Sequence, residues 1–238
     1  MKSLPTNAKA FVAFMVLGGL AVFGKTLLGW NGPHDWPKFL AYLVVAVAAT
    51  RFKVSLPGMT SSMSVNLPFI MVALIELSLP EGLIIAGAST FVQSFWPESK
   101  KRNLVQVGFN VSVLILAAQS SCLVLRHGFH NLALVIVSGT LAILVANTMP
   151  VAMIIAMTEA GKALRIWIHI VQLTFPYYSL AAGIAALVKL ANYAIGWQVP
   201  LFILPAMFLV YRSYVSYFRQ MSHPAPSHPR AMAQTAAS

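Results

Sequence analysis

Glu76 is the one carboxylate that falls within an apolar run, Leu67 to Leu79. A charged group at mid-bilayer costs a few kcal/mol, roughly 2.5 to 3.5 for Asp, Lys or Arg, so an ionisable residue there defaults to a role in binding ions or ligands. The competing reading is that Glu76 lies near the outer end of a short segment and reaches water or a headgroup. Amides and one imidazole gather on helical faces elsewhere. Asn103, Gln106, Asn110, Ala117 and Ser121 share one face of a continuous helix, and so do His169, Gln172, Pro176, Ser179 and Gly183. Pro176 cannot donate to the carbonyl of Gln172, and Pro150 similarly frees the carbonyl of Ala146 beside Asn147. Gln93 adds one more amide. The candidate ligand-binding set is therefore Glu76, Gln93, Gln106, Asn110, Asn147, His169 and Gln172. A few convergent polar groups in an apolar wall make a small-molecule site. Glu76, Gln106, Asn110, His169 and Gln172 are expected to line one cavity. Hydrogen bonding between helices is the alternative use of each residue.

Catalytic constellations are absent. The chain has no HExxH, no paired-cysteine motif, no GxSxG and no Walker loop, which points away from an enzyme, and nothing calls for a cofactor. His127 and His130 flank a short loop and read as solvated residues rather than metal ligands. The single cysteine, Cys122, excludes an intrachain disulfide framework.

These residues need apolar elements to hold them. Of the 238 residues 58% are hydrophobic and only 9% charged, and the mean hydropathy is +0.77. A soluble domain has a charged fraction of roughly a quarter. Runs of about 20 uncharged residues cross a bilayer core of roughly 30 Å. The expected fold is an all-α, polytopic membrane helix bundle, residues 1–220, followed by a disordered cytoplasmic tail, 221–238, rich in proline and small residues. About eight hydrophobic segments are expected, six long spans plus a short helical hairpin. They cover Lys9 to Leu28, Trp36 to Thr50, Val65 to Leu77, Leu79 to Trp96, Asn103 to Leu125, Asn131 to Thr158, Ile166 to Val188 and Gln198 to Phe218. The first is expected to be an uncleaved helix rather than a signal peptide. Segments three and four are too short to cross comfortably, so a re-entrant hairpin and two full spans both remain open. Ser78 to Glu81 fits a capping box at their junction, with Pro80 in the first turn. Gly82, Ala86, Thr90 and Ser94 form a stripe of small residues suited to close helix packing. Tyr177, Tyr178, Trp96, Trp167 and Trp197 read as interface anchors.

The net charge is +11, but the basic residues sit in short loops between spans. That is the footprint of topology and anionic headgroups, not of nucleic acid. With the N-terminus cytoplasmic and all eight segments crossing, 12 Lys and Arg lie inside and 4 outside: Lys25, Lys38, Arg126 and Lys189. Both termini are then cytoplasmic.

The stretch Arg51 to Ala118 includes RFKVSLPGMTSSMSVNLPFIMVALIELSLPEGLIIAGASTFVQSFW and LVQVGFNVSVLILA. It resembles the membrane-embedded N-terminal module found ahead of HD-GYP or GGDEF domains in bacterial signalling proteins. The order of loop, short helix and capped short helix is also similar to substrate-binding subunits of energy-coupling vitamin transporters. The first resemblance implies a sensory bundle of the bacterial inner membrane. With no output domain following segment eight, such a bundle is expected to act through a partner protein. The expected function is thus a sensory or small-ligand-binding bundle, with a small-molecule transporter or its substrate-binding subunit as the alternative. The expected partners are the lipid bilayer, a small polar ligand and a cytoplasmic or membrane protein, without nucleic acid.

Overall fold

The computed structural model describes residues 4–55, 62–95, 104–127, 131–159 and 161–192, and beyond these only 196, 198, 203, 205, 207–209, 211–213, 215 and 216. The elements run α1 (Thr6–Leu28), α2 (Trp36–Ala49), β1 (Lys53–Ser55), β2 (Ser62–Ser64), α3 (Leu67–Glu76), α4 (Leu79–Phe95), α5 (Leu104–His127), α6 (Leu132–Glu159) and α7 (Ala163–Asn192). The described residues between 203 and 216 are also helical, within the expected eighth segment. Among the described residues the architecture is helical apart from a ribbon of two three-residue antiparallel strands, paired Lys53 to Ser64, Val54 to Met63 and Ser55 to Ser62. The expected tail lies outside the described residues.

Four described helices, α1, α5, α6 and α7, are long and apolar enough to cross a membrane. This corrects the expectation of six long spans. Helix α2 has 14 residues and α3 has 10, so at 1.5 Å per residue they reach only about 21 and 15 Å. Asp35 fixes the start of α2, its carboxylate accepting from Lys38 N at 3.1 Å, and Pro37 sits in the first turn. The ribbon follows α2 and hands the chain to α3, closing on itself where Val65 N donates to the Phe52 carbonyl. Phe52 meets Phe208 and Tyr211 at 5.5 Å each, so aromatic rings tie the chain after α2 to the eighth segment.

Helix α3 is enclosed by α2, α4, α5 and α7. Every side chain from Leu67 to Leu74 is buried. It and α4 form a tight antiparallel pair, because a Cβ on Gly82 would lie 2.8 Å from Leu74 Cδ2. Gly82 of the expected small-residue stripe makes this approach, and Ala86 and Thr90 of the same stripe are buried. The capped junction is also present. Ser78 N donates to Glu81 Oε2 at 2.7 Å, the Ser78 hydroxyl bonds the same carboxylate, and Glu81 is buried.

Helix α5 is the hub, touching α1, α3, α4 and α6. Hydroxyls on the long helices are satisfied locally: Thr140, Thr148 and Thr174 each donate to the carbonyl four residues back, at 2.6 to 2.9 Å. Helix α1 reaches α5 through a glycine. A Cβ on Gly19 would stand 2.5 Å from Ser112 Cβ and 2.7 Å from its Cα, a backbone-to-backbone approach that no side chain fits. Gly19→Val is therefore expected to lower stability in detergent by about 1–3 kcal/mol. Gly24→Val, where a Cβ meets nothing within 4 Å, should leave the unfolding midpoint nearly unchanged.

Candidate functional site

Glu76 is the last residue of α3 and the centre of a charged cluster. Its Oε2 accepts from Lys38 Nζ of α2 at 3.2 Å, and its Oε1 from Lys189 Nζ of α7 at 3.0 Å. Lys38 Nζ also donates to the Glu76 carbonyl at 3.2 Å, and Arg126 Nη2 of α5 donates to the Leu77 carbonyl at 3.3 Å. The last carbonyls of any helix lack partners within it, and positive charge is favourable there. Three cations from three other helices thus satisfy and neutralise the end of α3. The Glu76 side chain is 10% exposed, that of Lys38 18% and that of Lys189 39%. The pair is half-shielded from water rather than sealed.

The opposite end of α3 is pinned as firmly. Leu67 N, an orphan donor of the first turn, donates to the Tyr177 hydroxyl of α7 at 3.0 Å. Asn66 Nδ2 donates to Ser89 Oγ of α4 at 3.3 Å. The adjacent Tyr178 accepts from Asn147 Nδ2 of α6 at 2.9 Å. Tyr177 and Tyr178 are therefore core hydrogen-bonding residues and not interface anchors, a correction of the sequence expectation. A tyrosine hydroxyl placed where orphan polar groups need partners is used for them. Trp167 is half-buried, its indole N–H donating to Thr148 Oγ1 at 3.0 Å, while Trp96 and Trp197 lie outside the described residues.

A cavity of about 350 Å³ opens beside the Glu76 cluster, between α3, α5, α6 and α7. Leu74 and Ile136, both buried, form its deep wall, with Ile75 and Leu132 beside them. Arg126 and Leu132, both exposed, and the half-buried Lys189 line its open side, so the two cations stand at its rim. Helices α5 and α6 come together below it because a Cβ on Gly139 would meet Leu125 at 2.7 Å.

The expected site residues do not converge. Glu76 stands at the end of the bundle where Lys189 and Arg126 lie. Gln106 precedes Arg126 by 20 residues of one helix, and His169 precedes Lys189 by 20, so each lies about 30 Å away along its axis. Asn110 and Gln172, 16 and 17 residues from the same cations, are about 24 and 26 Å distant. His169, Gln172 and Gln106 are exposed, and Asn110 and Gln93 are half-buried. Asn147 joins α6 to α7 through Tyr178. One face of a helix was legible, but which neighbour it meets was not, and the α7 face turned outward.

Comparison with known protein families, curated proteins and solved structures finds no match for this chain. The residues themselves must carry the reading.

Lys38, Arg126 and Lys189 belong to the cluster but not to the site expected from the sequence. The signal was present: a carboxylate in an apolar run needs a cation, and only four basic residues were assigned outside. Three of those four meet α3.

Glu76→Gln strips two ammonium groups of one counter-charge and is expected to cost about 2–3 kcal/mol of stability. Lys189→Met should cost about 1 kcal/mol, because Lys38 remains and position 189 is partly solvated. In a double-mutant cycle by detergent unfolding, the paired change should cost less than the sum of the two. Simple additivity would show that the two groups do not interact.

Proposed function

We propose that the chain is a sensory or small-ligand-binding bundle of a bacterial inner membrane that takes its ligand at the outer end. One observation carries this reading: the cavity lined by Arg126 and Lys189 abuts the half-buried end of a short helix whose first eight residues are buried. A ligand that draws Lys189 away from Glu76 alters one of the contacts that position α3. Occupancy outside is thereby linked to packing inside, which is what a sensor requires.

The bundle beneath the cavity favours binding over passage. Among the described residues, Ile70, Met71, Leu83, Ile85 and Ile143 are fully buried and belong to one apolar core. The resemblance of Arg51 to Ala118 to bacterial sensory modules points the same way. It covers the ribbon, α3, α4 and the first part of α5.

The transporter reading has one observation in its favour. Arg165, His169, Gln172 and Ser179 lie exposed along one face of α7, a polar face that suits contact with another membrane protein. A substrate-binding subunit would use it to meet its transport partner.

Two measurements on the purified chain separate these readings. Small polar and anionic metabolites are screened by thermal shift in detergent, and hits are tested for flux in proteoliposomes. A binding bundle is expected to gain stability as RT ln(1 + [L]/Kd), about 2.7 kcal/mol at a hundredfold excess over Kd, without accumulating the compound. Arg126→Gln, which removes a cation of the cavity, should weaken the response, whereas Asn110→Leu, about 24 Å from the cluster along α5, should keep it. Uptake by the chain alone would contradict the sensory reading and favour transport.

A further inference from the structure

The outer cavity combines two chemistries that few ligands match. Its rim holds two cations, Arg126 and Lys189. Its walls are aliphatic: Leu74 and Ile75 from α3, Leu132 and Ile136 from α6. Lys189 spends one donor on Glu76, and Arg126 donates to the Leu77 carbonyl and bonds the Cys122 side chain one turn back. An ammonium has three donors and a guanidinium five, so both have donors left for an anion at the rim. A cation would be repelled there. A sugar or other neutral polar solute would leave its hydroxyls unpaired against the aliphatic walls. A bare inorganic anion would gain nothing from those walls. The volume, about 350 Å³, lies at the low end for small-molecule sites.

We propose that the cavity binds a small amphiphilic anion, with its charged head between Arg126 and Lys189 and its alkyl chain against Leu74, Ile75, Leu132 and Ile136. The proposal rests on the reading of the outer end as a ligand site and names the ligand's class. Arg126 and Lys189 end their spans on the same side of the bundle, and the cavity floor lies on the bundle side of them. A single-chain molecule arriving from outside and an anionic lipid of the outer leaflet present the same head and chain. The head competes with Glu76 for Lys189, so binding loosens the grip of α7 on the end of α3.

The test uses the full chain in a neutral sugar detergent, with n-alkyl phosphates as probes and thermal stability as the readout. Octyl phosphate should raise the unfolding temperature in a dose-dependent manner. Butyl phosphate should require higher concentrations, with each added methylene tightening binding by up to about fourfold. Inorganic phosphate and octanol, each lacking one half of the match, should do little at the same concentrations. Arg126→Gln should weaken octyl phosphate about tenfold or more. Leu132→Trp, a substitution at the half-open wall, should flatten the chain-length series while leaving the protein folded. Repeating the titration in phosphatidylglycerol and in phosphatidylcholine nanodiscs identifies the source. Loss of the response only in phosphatidylglycerol assigns the site to a leaflet lipid, and a response in both assigns it to a free amphiphile. Either result supports the proposal. Equal stabilisation by inorganic phosphate, or an octyl phosphate response unchanged in both variants, would overturn it. Stabilisation by a polar metabolite, lost in Arg126→Gln but without any alkyl phosphate effect, would overturn this proposal and leave the broader ligand-binding reading standing.

Discussion

A ten-residue helix enclosed by four others has two ends whose backbone groups cannot reach water freely, and everything about α3 follows from that constraint. Unsatisfied amide groups in an apolar interior cost several kcal/mol each, so partners must be brought to them. The N-terminal end takes the Tyr177 hydroxyl, and the C-terminal end takes Lys38 and Arg126. Glu76 then holds Lys38 and Lys189 in place with its carboxylate. Helices α2, α5 and α7 are thereby tied to one point. The ribbon that precedes α3 and the capped turn that follows it are what a chain needs to enter and leave such a position.

The position of Glu76 links the fold to the site. Its charge is tolerated because two lysines share it, and part of one of those lysines faces the cavity. Isolated surface ion pairs contribute little, and sealed ones often cost more in desolvation than they return. This cluster lies between those limits. It is shielded enough to matter and open enough for Lys189 to change partners.

Much of the fold was legible in the sequence. The apolar runs gave the boundaries of α1, α2, α5, α6 and α7 within a few residues, because continuous uncharged stretches have one interpretation in a bilayer. Ser78 and Glu81 announced the junction through local capping chemistry, which depends on no distant residue. The stripe through Gly82 was legible for the same reason. The ribbon was not, since three-residue strands carry no periodicity to read. The site was half legible. Glu76 stood out by its setting, but its lysines lie 38 and 113 residues away, and only tertiary packing brings them together. Gln172 and His169 share a face with Ser179 as expected, yet that face points away from the core. Periodicity defines a face and does not say what it meets.

The central claim, that the cations around Glu76 hold the end of α3 in place, is tested most directly by hydrogen exchange at the α3 amides. The purified chain in detergent is compared with Glu76→Gln, following Leu74 to Leu77, where the Leu77 N–H bonds the Ala73 carbonyl. Exchange there is expected to accelerate about tenfold or more in the variant, while amides in the middle of α6 keep their protection. Unchanged protection at the end of α3 would contradict the claim and leave Glu76 as a surface carboxylate with no structural hold on the helix.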